Sequence, residues 1–213
     1  MMVQIGQMRV MEIMAHTTNT IAEGEVLQLI HCGNPNITEK EYMDLIYRKT
    51  GKLFEAGVSI GAILADQSQI VELSLTEYGR HLGIAFQLID DVFDYSSSFE
   101  IMGKNIGDDL AEGKPTLPLI YALGRCNSRE QLLIRKAIAN KDSRHSEQII
   151  ECLRSCGSLA LATEKAKSTS EKAITALGPL PDSQYKDALI KLARFAIDRT
   201  YQSSIWLTGL VGK

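Results

Sequence analysis

Apolar residues recur at helical spacing along most of this chain. Between Val3 and Ile30 they fall at Val10, Ile13, Met14, Ile21, Val26, Leu29 and Ile30. That predicts a helix starting at or before the first residue, uncapped, and stopped by Gly33 ahead of Asn34-Pro35. Thr38 and Glu41 have the spacing of a capping box and open a predicted helix through Tyr42, Leu45, Ile46, Leu53 and Phe54 to about Ala65. Another long helix is predicted from about Gln69 to Tyr95. Shorter ones follow at about 129–139 (capped by Ser128 with Gln131), 145–155, 159–177 and 183–201. Period-two alternation is missing, and so is any internal repeat. The pattern predicts one all-α domain over residues 1–213.

Two features break the periodicity. Gly51, Gly57 and Gly61 lie inside one predicted helix, Gly79 and Gly83 inside the next. Each costs helix propensity, which predicts close helix packing or close approach of a ligand as compensation. From Ser96 to Pro118 the apolar rhythm stops, and glycine, lysine and aspartate accumulate. A polar stretch of that length between helices is usually functional.

Composition narrows the class. The 213 residues are 45% hydrophobic and 23% charged, with 23 Lys and Arg against 26 Asp and Glu, a net charge of -3. No basic run suits nucleic acid, so none is expected as a partner. The longest uncharged runs are about thirteen residues, short of the roughly 18 that span a bilayer. No signal peptide is recognisable at the start. A cytoplasmic protein is expected, with Cys32, Cys126, Cys152 and Cys156 as free thiols; the spacing of the last two is not that of a zinc knuckle.

The sharpest chemistry is Asp90-Asp91-Val92-Phe93-Asp94, at the end of the apolar run Gly83–Ile89. Carboxylates at i and i+4 share a helix face, with Gln87 three residues before Asp90 on the same side, and like charges so placed repel. A hard cation such as magnesium would offset that repulsion and keep coordination positions for a phosphate. The loop that follows carries Gly103, Lys104, Gly107, Gly113 and Lys114, suited to an anion bridged by such a cation. It is not a Walker loop. Arg48-Lys49-Thr50-Gly51-Lys52 forms a third, basic cluster, read by itself as a solvated helix face. His16, His31, His81 and His145 have no ligand spacing.

Together these segments resemble the all-trans polyprenyl diphosphate synthases, in particular the bacterial octaprenyl diphosphate synthases that make the quinone side chain. The likeness is carried by residues 21–29, 47–56, 86–95, 103–110 and 112–119 and extends to about Tyr201. It implies an isoprenoid-synthase-type bundle of antiparallel helices around a deep central cavity, acting as a homodimer. Two aspartate-rich motifs would face each other across the cavity and hold magnesium on an allylic diphosphate such as farnesyl diphosphate. The second motif matches Asp90, Asp91 and Asp94. By the same matching Lys49, Gln87 and Lys104 would act in catalysis, and with Thr50 contact the allylic diphosphate. Phe86 would lie near isopentenyl diphosphate, while Asp108 and Lys114 would close the loop over the site.

The first aspartate-rich motif of that family is absent, since Asp-Asp pairs occur only at 90/91 and 108/109. The expectation is a chain equivalent to the C-terminal two-thirds of such an enzyme, inactive by itself, with its product length unspecified. A rival reading is a non-catalytic helical subunit of a prenyl synthase complex. Terpene cyclases share the acidic metal logic but are not expected to carry Lys49-Thr50 and the 103–114 loop in this form.

Overall fold

The computed structural model describes residues 6–96 and 107–198. Helices make up its regular structure, and among the described residues no strand occurs. Helix α1 runs from Met8 to His31 and α2 from Glu39 to Ile46, followed directly by a π turn at Tyr47–Gly51 and by α3 at Lys52–Leu64. Helix α4, Gln69–Ser96, is the longest at 28 residues, about 42 Å. Beyond it come α5 (Asp108–Ala111), α6 (Leu117–Leu123), α7 (Ser128–Asn140), α8 (Ser146–Ser155), α9 (Ser158–Ala176) and α10 (Gln184–Ile197).

Helix α4 is the axis of the fold. It packs mainly against α3 and α9, and also touches the π turn, α6 and α10. Its length is supported by burial on several sides: Tyr78, Ala85, Leu88 and Tyr95 are fully enclosed. One apolar cluster joins Tyr42, Leu45 and Ile46 of α2 to Ile84, Leu88, Ile89 and Val92 of α4 and to Ala162 and Ala166 of α9. A second gathers Leu110, Leu119, Ile134, Ile138, Ile149 and Leu153 around the α6–α8 end. The acidic segment Asp90–Asp94 therefore stands on a helix fixed from three directions.

The Thr38 capping box is present, with the Glu41 amide donating to the Thr38 hydroxyl and the Glu41 carboxylate accepting from the Thr38 amide. Several boundaries differ from the sequence reading. Helix α1 starts at Met8, after an extended Gln7 and a left-handed Gly6 at φ +70°. Helix α7 is capped by Asn127 with Glu130, one residue ahead of the expected Ser128 and Gln131, because the Asn127 carboxamide reaches the amides of both Arg129 and Glu130. The helix expected from Thr38 to Ala65 is interrupted by the π turn, whose extra residue resets the register of α3 against α2. Helix α6 escapes the sequence reading because only seven residues separate Thr116 from Gly124, with Pro118 in the first turn.

Glycine explains two close approaches. A Cβ on Gly83 would lie 2.8 Å from the Gly51 Cα, so α4 and the π turn meet backbone to backbone. A Cβ on Gly24 would lie 2.6 Å from the Lys49 amide nitrogen, so α1 presses on the same turn from the other side. Gly79 is similarly confined by Phe54 and Val58. Among the described residues no helix packs closely on Gly57 or Gly61, where a Cβ would meet nothing within 4 Å.

Candidate functional site

Squeezed between Gly24 and Gly83, the π turn delivers adjacent side chains to two different helices. The Lys49 ammonium donates to Gln28 Oε1 of α1 at 2.6 Å, with Glu25 at 3.6 Å. The Thr50 hydroxyl donates to Gln87 Oε1 of α4 at 2.9 Å. The Gln87 carboxamide passes the connection on, Nε2 donating to Asp91 Oδ1 at 2.7 Å. The second oxygen of Asp91 accepts from the Tyr42 hydroxyl at 2.6 Å. A relay thus runs from Thr50 through Gln87 and Asp91 to Tyr42, tying the π turn and α2 to α4.

Asp91 is only 5% exposed. Burial, together with the negative charge of Asp109, pushes its carboxyl up to about 7, against the two hydrogen bonds that favour the ionised form. Burial and the neighbouring Asp91 also raise the Tyr42 phenol well above its ordinary value. Such a carboxylate is tied into the protein on both oxygens.

The relay borders a cavity of about 230 Å³. Lys49, Gln87, Asp90, Asp91, Asp109 and Lys114 are among the groups lining it, with Gln28 and His31 from the end of α1. Ile37, Tyr42, Leu45 and Ile46 form an apolar wall. The chain returns to the cavity at the start of α5. There the Asp109 amide donates to Asp94 Oδ2 at 3.2 Å, and the Gly107 amide donates to the Asp94 carbonyl. Gly107 adopts φ +83° to make this reversal, which a residue with a Cβ rarely does. The Lys114 ammonium donates to Glu112 at 2.6 Å and to Asp109 at 3.1 Å. Burial opposes its charge, but these two carboxylates outweigh that and raise its pKa.

Of the residues singled out from the sequence, Lys49, Gln87, Asp90, Asp91 and Lys114 line this one cavity, and Thr50 is bonded to its wall. Asp90, Asp91 and Asp94 stand in different surroundings. Asp90 lies on the cavity, Asp91 is bonded to Tyr42 and Gln87, and Asp94 receives the Asp109 amide. The i,i+4 hydrogen bond from Gln87 goes to Asp91. Of the second acidic pair, Asp109 lines the cavity and Asp108 does not. Phe86 is off the cavity lining, its ring 5.6 Å from that of Phe54. Lys104 and Gly103 lie outside the described residues.

Sequence reasoning misses Tyr42, which has the appearance of a core residue at helical spacing, and Asp109, overshadowed by its neighbour. His31 is passed over for lack of a partner histidine. Its Nδ1 is enclosed without a hydrogen-bond partner.

Among the described residues no three His, Cys, Asp or Glu side chains are grouped so as to hold a metal ion by themselves. The donor set nevertheless fits magnesium, a hard cation that takes one or two carboxylates and fills its remaining positions with water and phosphate oxygen. Asp90 and Asp109 supply hard oxygens on one cavity that is also lined by Lys49.

Residues 1–156 match the polyprenyl synthetase family. Over 200 residues the chain is 47% identical to the octaprenyl diphosphate synthase of Escherichia coli (strain K12), covering 93% of this chain and 62% of that protein. A polyprenyl synthase from Caulobacter crescentus CB15, solved with calcium and isoprenyl diphosphate, superposes with a TM-score of 0.88 at 37% identity, over 92% of this chain and 60% of that one. A decaprenyl diphosphate synthase from Rhodobacter capsulatus gives 0.87 at 36% identity, over 93% and 62%. The chain thus spans about three-fifths of the length of these relatives.

Proposed function

Because this chain belongs to the polyprenyl synthetase family, we propose that it carries the metal-and-diphosphate half of a trans-prenyltransferase site. The reaction is condensation of isopentenyl diphosphate with an allylic diphosphate, lengthening a polyprenyl chain of the kind used in quinone side chains. The observation that carries this reading is the convergence of Lys49, Gln87, Asp90 and Lys114 on one cavity with an apolar wall.

Asp90 would hold magnesium, with Asp94 and Asp109 beside it, while Asp91 serves as the anchor that positions this end of α4. Bound there, magnesium would supply the positive charge that stabilises a departing diphosphate. The chain's own cations add to that field. Lys49 is held by Gln28 at the cavity edge, and Lys114 stands on the loop after α5 between Asp109 and Glu112. Thr50 orients Gln87 through its hydroxyl, and the Gln87 amide, with one hydrogen given to Asp91, keeps a second to donate to a phosphate oxygen. Leu45, Ile46 and Ile37 exclude water on the side where an allylic carbon would develop charge.

By itself the chain is expected to bind magnesium diphosphate weakly and not to turn over. The 213 residues offer no second aspartate-rich motif to face Asp90, and each lost decade of rate corresponds to about 1.4 kcal/mol of transition-state stabilisation. The test is incubation of this chain with labelled isopentenyl diphosphate and farnesyl diphosphate, alongside calorimetric titration with magnesium diphosphate. Weak binding lost in Asp90→Ala, with no polyprenyl product, supports the proposal. Product that disappears in Asp90→Ala would show that this half suffices for catalysis. Binding untouched by Asp90→Ala would instead favour a non-catalytic helical subunit, a reading supported by the missing first motif.

Helix α1 supports a homodimer as part of the same proposal. Its Met8, Val26, Leu29 and Ile30 are 55–74% exposed, an apolar stripe that water does not favour. Among the described residues no helix is long and apolar enough to cross a membrane.

A further inference from the structure

The π turn that carries Lys49 and Thr50 begins at Tyr47, and this side chain is held at both ends. Its hydroxyl donates to Glu55 Oε2 of α3 at 2.9 Å. Its ring lies under the Arg80 guanidinium of α4, 4.8 Å from the ring centre. The other Glu55 oxygen, Oε1, accepts from the Lys52 ammonium at 2.5 Å, so the carboxylate has a partner on each side. The Lys52 and Glu55 side chains are each only 12% exposed. The ring is boxed in as well, since a Cβ on Gly51 would lie 3.2 Å from Tyr47 Cδ2. Tyr47, Lys52, Glu55 and Arg80 all stand off the cavity lining.

We propose that Glu55 is a positioning residue, fixing the π turn through the Tyr47 hydroxyl so that Lys49 and Thr50 are held at the diphosphate site. This rests on the diphosphate reading of the cavity. Stability by itself does not call for such an arrangement. A mostly buried ion pair gives up its hydration, and apolar side chains of like volume often serve as well or better; the best-attested use of such a pair is to set register. Register is what this turn needs. A helix advances about 100° per residue, so a slip of one position would turn Lys49 away from Gln28 and Thr50 away from Gln87.

Glu55 is placed to prevent that slip. It stands eight residues beyond Tyr47, so their bond spans the whole turn and ties its first residue to the helix that follows. Lys52 keeps the carboxylate from swinging out to water. Burial and the Glu55 hydrogen bond push the Tyr47 phenol up to about 12, so it stays a donor at neutral pH. Arg48 of the same turn is tied to Glu23 and Asp44, but those pairs are open to solvent and constrain little.

The test is a set of nitrogen–proton correlation spectra of the folded full chain, with and without magnesium diphosphate. They are read at the Gln28 and Gln87 carboxamides, which report on Lys49 and Thr50. Tyr47→Phe and Glu55→Ala should each move both signals and weaken magnesium diphosphate binding about tenfold, the scale of one well-made hydrogen bond. Combined, they should weaken it no further than either alone, because they remove the same link. Glu55→Gln keeps a hydrogen-bond partner for the Tyr47 hydroxyl and should restore both signals and affinity, although its charge against Lys52 is gone. Should Glu55→Ala unfold by leaving Lys52 unpaired, Tyr47→Phe decides. A merely structural role would lower the thermal midpoint and leave the carboxamide signals where the parent has them. That result, or a Glu55→Gln chain that behaves like Tyr47→Phe, would overturn the proposal. A parent chain that binds no magnesium diphosphate would sink the ligand reading alone, and the carboxamide signals would then decide the positioning.

Discussion

The Tyr42 hydroxyl donates to Asp91 Oδ2 at 2.6 Å, joining residues 49 positions apart at the centre of the molecule. Asp91 sits between the cavity-lining Asp90 and the apolar face of α4, so this bond locks the acidic end of α4 against α2. Tyr42→Phe keeps the ring packing and removes only the donor. Leaving a buried carboxylate oxygen short of a partner costs about 1–3 kcal/mol. Urea denaturation should show the midpoint falling accordingly with an unchanged slope; an unmoved midpoint would mean that Gln87 alone satisfies Asp91.

Gly83 and Gly57 should respond to alanine with opposite signs. At Gly83 a Cβ would meet the Gly51 Cα at 2.8 Å and Phe54 at 3.0 Å, and neither can move cheaply. Gly83→Ala is expected to cost about 1–3 kcal/mol through overpacking, despite its better helix propensity. Gly57 has open space around it, so Gly57→Ala should stabilise by up to about 1 kcal/mol. Thermal unfolding of the two variants decides it. A stabilised Gly83→Ala would mean that α4 and the π turn can separate without loss.

The Thr38 cap carries a pH signature. Thr38→Ala should cost about 1 kcal/mol near neutrality, with Thr38→Ser recovering most of it. The Thr38 backbone and side-chain hydrogen bonds hold the Glu41 carboxyl below 4.5 in the folded chain. A folded-state pKa below the unfolded one adds stability that is complete above the unfolded value and lost as pH falls through the folded value. The gap between parent and Thr38→Ala should therefore narrow below about pH 4.5. A gap constant down to pH 3 would assign the whole effect to the bond that the hydroxyl accepts from the Glu41 amide, and none to the one it donates to the Glu41 carboxylate.

Leu29→Glu tests the pairing of α1. Leu29 is 74% exposed and makes little contribution to the core of one chain, so the folded monomer should tolerate the change. If the apolar stripe joins two copies, sedimentation should give a dimer for the parent at micromolar concentration and a monomer for Leu29→Glu. Monomeric parent protein under those conditions would rule the homodimer out.

Local physical chemistry explains how much of this could be read from residues alone. Helical periodicity, the Thr38–Glu41 capping box and the break before Pro115 are written within a few neighbours, and they define an all-α chain and most helix limits. The Asp90–Asp94 spacing marks the candidate site, because a side chain's chemistry does not depend on its fold, whereas Lys49 and Thr50 enter it only through the family resemblance. What neighbouring residues could not determine was direction. The π turn at Tyr47–Gly51 is pressed by Gly24 on one side and Gly83 on the other, and it sends Lys49 to α1 and Thr50 to α4. Likewise three aspartates of similar sequence environment receive different fates: Asp90 on the cavity, Asp91 buried under Tyr42, Asp94 bonded to the Asp109 amide. Those assignments depend on contacts between segments up to 49 residues apart, and only the packed helices bring such segments within hydrogen-bond reach.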